Sequence, residues 1–102
     1  MSVDRLIYLC KEILALCNVV IDENVSPNVG VVKIIKREFG KQYQSLKNEG
    51  KVIVLTKRGD LWATRAVVDS GRFEYDKELF DKVFEFEKLC RKVPKDKLTV
   101  LY

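Results

Sequence analysis

Val29-Gly30-Val31-Val32-Lys33-Ile34-Ile35 is the stretch on which the fold turns. Five of its seven residues are β-branched, which favours a strand on a half-buried sheet surface. A helix competes for the same residues. Ser26-Pro27 offers an N-cap and a first helical residue. Val31 or Val32, Ile35, Phe39, Tyr43 and Leu46 then recur at helical spacing. Both versions share a helix from about Lys36 to Asn48, and β-branched density favours a strand before it.

Read as a strand, the stretch completes a repeat. Leu6, Cys10 and Ile13 followed by Asn18-Val19-Val20-Ile21 fall on Phe39, Tyr43 and Leu46 followed by Lys51-Val52-Ile53-Val54 at one constant offset. After each strand comes a turn and a second β-rich run: Asn24 to Asn28 before Val29 to Ile35, and Lys57-Arg58-Gly59-Asp60 before Leu61 to Val68. The expected fold class is therefore α+β, a duplicated α-β-β motif in the order αββαββα with antiparallel hairpins. The repeats would span residues 3–36 and 37–69 of one domain covering residues 1–102. If residues 29–35 are helical, the duplication fails and a helix followed by a basic wing gains.

The flanking elements have clearer signals. Leu6, Leu9, Cys10, Ile13 and Cys17 give an amphipathic helix from Ser2, its N-cap, to Cys17, with Asn18 ending it and residues 19–22 forming a strand. Gly50 is a C-cap for the second helix. A long C-terminal helix over residues 76–93 carries Leu79, Val83, Phe86, Cys90 and Val93, and Pro94 stops it. Glu78 with Lys82 and Glu87 with Arg91 are i, i+4 pairs on that helix, and Leu98 to Tyr102 reads as a short terminal strand or apolar tail.

Bulk composition limits the function classes. With 47% hydrophobic and 33% charged residues the chain is expected to fold rather than remain disordered. The longest apolar run, Ile13 to Ile21, is broken by Asn18 and is too short to span a membrane. Met1 to Arg5 lacks the pattern of a signal peptide. Cys10 and Cys17 share a helical face about 10 Å apart along the axis, too far for a disulfide. The chain has no histidine and no Cys-x-x-Cys pair, so no metal site or cofactor is expected. The same absence removes Ser-His and Cys-His dyads, and the carboxylates of residues 76–87 alternate with lysines as on a solvated face. A non-enzymatic, cytoplasmic protein is the expectation.

Two binding readings remain. Residues 33 to 65 hold nine Lys or Arg against three acids, a net +6, while residues 1–32 sum to −2 and residues 66–102 to zero. The first reading is a protein–protein interaction module that binds an extended peptide in the cleft between its repeats, through Tyr43, Trp62, Arg65 and Tyr102. The alternative is nucleic-acid binding, with Lys33, Lys36, Arg37, Lys41, Lys57 and Arg58 as phosphate contacts on a basic helix and hairpin. A monomer or a homodimer joined through the terminal strand fits either.

Two resemblances accompany these readings. Leu46-Lys47-Asn48-Glu49-Gly50-Lys51-Val52-Ile53-Val54-Leu55-Thr56-Lys57-Arg58-Gly59-Asp60 resembles the helix-to-hairpin segment of prevent-host-death antitoxins, a family that dimerises, binds operator DNA and neutralises a toxin. Here a periodic helix follows, so the resemblance is local and carries no functional residue over. The whole chain, rich in Lys, Val and Tyr and pairing Val19-Val20-Ile21 with Val52-Ile53-Val54, resembles uncharacterised small proteins of archaeal filamentous viruses of the Acidianus type. That resemblance implies host cytoplasm or virion as the location and implies no activity. The abundance of Lys, Glu and Val is in keeping with a hyperthermophile.

Overall fold

Two helices of 21 residues each open the chain, α1 over Val3–Glu23 and α2 over Val29–Glu49. They belong to a computed structural model that describes residues 3–101, so the Ser2 cap and the Tyr102 contact lie outside the described residues. A strand β1 follows at Val52–Val54, then α3 at Trp62–Ser70 and α4 at Lys77–Cys90. A single 3-10 turn at Lys95–Lys97 leads into β2, Leu98–Val100. The sheet has two strands, and they run parallel, with Val52 opposite Leu98 and Val54 opposite Val100.

This architecture overturns the αββαββα reading. Residues 29–35 are the first two turns of α2. As a strand the run would alternate, placing Lys33 on the same face as Val31 and Ile35. As a helix it buries Val31, Val32 and Ile35 together and leaves Lys33 in solvent. The modest propensity cost of β-branched residues, under about 0.7 kcal/mol each, is smaller than the cost of burying an unpaired ammonium.

Residues 61–68 repeat the lesson. Alternation would set Arg65 beside Leu61, Ala63 and Val67, whereas α3 buries Ala63, Thr64 and Val67 and keeps Trp62 and Arg65 outside. The expected hairpin is thus a strand, a turn closed by Gly59 N–H on the Thr56 carbonyl at 3.0 Å, and a helix. Nor does Asn18 end α1. The helix runs on through it because Val20 and Ile21 continue the Ile13 and Cys17 stripe against the core. With 19–22, 29–35 and 61–68 all helical, neither antiparallel hairpin exists, and the repeats at 3–36 and 37–69 have no structural counterpart. The closing helix is shorter than expected, ending at Cys90 and followed by turns through Val93.

Side-chain bonds join the elements. Asn28, 1% exposed, precedes α2 but leaves that helix uncapped by its side chain. Its Nδ2 donates to the Arg72 carbonyl and the Asp76 carboxylate, and its Oδ1 accepts the Arg72 N–H at 2.8 Å. The Ser26 hydroxyl donates to the same Asp76 carboxylate, so the α1–α2 and α3–α4 connections are tied together. Glu87 of α4 accepts the Leu61 N–H at 2.9 Å, placing a carboxylate at the positive end of α3. Arg5 with Glu85 and Lys82 with Glu12 link α1 to α4, so Lys82 pairs across helices rather than with Glu78.

The core formed by these elements includes Leu9, Ile13, Val32, Ile35, Val67, Leu79 and Val83, with Phe39 and Phe86 meeting edge to face at 4.9 Å. Val52 and Val54 of β1 are buried in it, with Leu98 and Val100 of β2 packed against its rim. Cys10, Cys17 and Cys90 are buried free thiols within it. Among the described residues no helix is long and apolar enough to cross a membrane.

Candidate functional site

Helix α2 has one face committed to the core and one left open. Val31, Val32, Ile35, Phe39, Gln42 and Leu46 fill the inner face. At about 100° per residue, Lys33, Lys36, Arg37, Lys41 and Lys47 fall within an arc of about 140° on the opposite side. All five are exposed, and they extend over about 21 Å of helix from Lys33 to Lys47. Gln44 and Asn48, also exposed, lie among them. The two acids of α2, Glu38 and Glu49, fall outside the arc. Glu38 touches Arg37 at 3.9 Å and Lys41 at 4.0 Å, the limit of an ion pair, so it draws little charge from the face.

The basic residues expected in the following hairpin do not extend this face. Lys57 and Arg58 lie in the connection between β1 and α3. Arg58 reaches the Asp60 carboxylate at 3.2 Å and lines a groove with Arg65 and Arg91 to which α2 contributes no residue. Arg91 approaches Asp60 at 3.6 Å and Glu87 at 3.2 Å. The Thr56 hydroxyl bond, with Arg58 and Arg91 alongside, holds the Asp60 carboxyl below its ordinary range. This groove is balanced in charge, three arginines facing Asp60, Asp69 and Glu87. Thr64, on its wall, has a buried hydroxyl with no hydrogen-bond partner among the described residues.

The residues expected to bind a peptide are divided between two places. Trp62 and Arg65 share the outer side of α3, one turn apart, and Trp62 is 46% exposed. The indole lines a pocket with Glu38 and Gln42 of α2 and with Leu101, itself 57% exposed. Tyr43 is half-buried about 140° around α2 from Glu38, with the Lys47 ammonium 5.4 Å from its ring centre. It therefore stands on the other flank of α2 from Trp62. Without two repeats there is no seam between them, and the cleft reading loses the geometry that motivated it.

Several contributors are not singled out by any pattern in the sequence. Gln44, Asn48 and Lys47 join the α2 face only because the helix has a fixed phase. Gln42 reads as a surface residue, yet it is 6% exposed and its amide pairs with the backbone of Ile53. Leu101 lines the same pocket as Trp62, a placement that no local pattern encodes. Among the described residues no group of three or more His, Cys, Asp or Glu side chains is placed to hold a metal ion. Comparison with protein-family models, with curated proteins and with solved structures finds no match.

Proposed function

We propose that the chain binds nucleic acid through the outer face of α2, with Lys33, Lys36, Arg37, Lys41 and Lys47 contacting phosphates. The observation that supports this most is the separation of charge on one helix: five exposed cations and no acid within the same arc. Such a face concentrates positive potential along about two-thirds of the length of α2, which suits a polyanion better than a single acidic side chain. Arg and Lys at phosphates position a protein without selecting sequence, so the binding is expected to be largely sequence-independent.

Fluorescence anisotropy of labelled oligonucleotides across a salt series tests it. Binding that weakens steeply with salt and is lost on charge reversal at Lys33, Arg37 and Lys41 supports the proposal. No binding at low salt ends it.

A second reading keeps a protein partner. Gln42 closes the far edge of β1, so the outer edge of β2 is where an extended segment or a second copy could add a strand. Sedimentation of the full chain with and without candidate segments tests that reading, and protected Val100 amide exchange in the monomer would count against it.

A further inference from the structure

The proposed phosphate face ends beside an exposed tryptophan. Trp62 is the first residue of α3, and its indole lines the same pocket as Glu38 of α2. Glu38 adjoins Arg37 and lies within 4.0 Å of the Lys41 ammonium. The indole thus stands at the Lys41 margin of the cationic arc. On its other side Arg65, one turn further along α3, is exposed and has no ion-pair partner among the described residues. A tryptophan 46% exposed, with Arg65 one turn along its own helix and Lys41 next beyond Glu38 on α2, is the pattern of a base-stacking platform within reach of phosphate contacts.

We infer that the protein prefers single-stranded over duplex nucleic acid, with Trp62 stacking on an unpaired base and Lys41 and Arg65 contacting the flanking phosphates. This rests on the phosphate-binding reading of α2 and adds the class of strand. In a duplex each base face is covered by its neighbours, so an indole on the protein surface gains nothing from it. A single strand offers open faces, and stacking one on an aromatic side chain contributes about 1–3 kcal/mol, sequence-tolerant because every base has such a face.

The test uses the full chain with homopyrimidine strands of DNA and RNA and a duplex of matched length. Anisotropy is read at low salt alongside the emission of the chain's single tryptophan. The expected result is tighter binding of a single strand, with indole quenching that the duplex does not produce. Trp62→Ala should lower single-strand affinity roughly 5- to 150-fold while leaving duplex affinity and the salt slope unchanged. Trp62→Phe, which keeps a ring, should recover most of the loss. Equal affinity for both forms, with Trp62→Ala inert, overturns the stacking inference and leaves the α2 reading standing. Absence of binding to any of the probes removes both.

Discussion

The Gln42 side chain pairs with both backbone groups of Ile53: its Nε2 donates to the Ile53 carbonyl and its Oε1 accepts the Ile53 N–H at 2.9 Å. A side-chain amide thereby takes the place of a neighbouring strand on the edge of β1 that faces α2. Gln42→Met keeps the length of the side chain and removes both partners. Leaving two partly buried backbone groups unpaired should cost about 1–3 kcal/mol, seen as a lower denaturant midpoint. Amide exchange at Ile53 should quicken more than at Val52 or Val54. An unchanged midpoint would show that water replaces the amide without penalty.

Much of the fold was legible where one signal acted alone. The Leu79, Val83, Phe86 and Cys90 stripe of α4, the Gly50 cap of α2 and the strand character of residues 52–54 and 98–100 are all present in the structure. At residues 19–22, 29–35 and 61–68 local β propensity points to strands where the structure has helix, and at the last two the side that a charge would occupy outweighs it. Lys33 and Arg65 decide those segments, because alternation buries them and helical spacing does not. The cations of the candidate face were visible as composition. Their convergence follows only once α2 begins at Val29, and the place of Trp62 beside Glu38 depends on packing between helices far apart in sequence.

Thr64 carries a buried hydroxyl without a partner among the described residues. Its 9% exposure leaves little access for water. Thr64→Val keeps the β-branched shape and removes the unpaired group, so stability should rise by about 1 kcal/mol. Thr64→Ala, which also removes a methyl contact, should be less stable than the valine variant. Urea unfolding of the three chains decides the order, and a destabilised valine variant would show that the hydroxyl is satisfied in solution.

Two glycines predict opposite outcomes. A Cβ added at Gly40, inside α2, would meet nothing within 4 Å, so Gly40→Ala should stabilise the helix by about 0.5–1 kcal/mol. Gly59 has φ +95, and a Cβ there would stand 3.1 Å from the Arg91 nitrogen and the Cys90 carbonyl carbon. Gly59→Ala must strain the turn and push it off the end of α4, costing more than about 1 kcal/mol. Thermal melts should therefore move in opposite directions. If both fall, Gly40 has a role beyond leaving space.

Burial pushes the thiols of Cys10 and Cys17 up to about 12 from an ordinary value of 9.0, with Lys36 pulling Cys17 back slightly, and it raises Cys90 as well. A thiol whose folded value is raised stabilises the fold below pH 9, and that contribution is lost as pH climbs from 9 toward 12. Each such thiol should add about 1.4 kcal/mol per pH unit to the decline in that window. The double variant Cys10→Ala, Cys17→Ala should start less stable at pH 7, from lost packing, but decline less steeply above pH 9. Equal slopes would mean that the thiols do not contribute to alkaline unfolding.

The α2 face makes a quantitative prediction about salt. For a single strand the slope of log affinity against log salt is about −0.7 for each phosphate neutralised, because each contact releases condensed counterions. If all five cations of the face engage, the slope should approach about −3.5. Lys33→Gln, Arg37→Gln and Lys41→Gln together should reduce its magnitude by about 2, with weakening that is uniform across sequences. All three side chains are exposed and carry no strong ion pair, so the triple variant should melt close to the parent chain. Lys57→Gln serves as the contrast, since it lies in the β1–α3 connection rather than on α2, and it should leave the slope at the parent value, where the loss of one phosphate contact would change it by about 0.7. A slope that falls equally for Lys57→Gln and for each α2 variant would mean that net charge, rather than the helix face, attracts the polyanion.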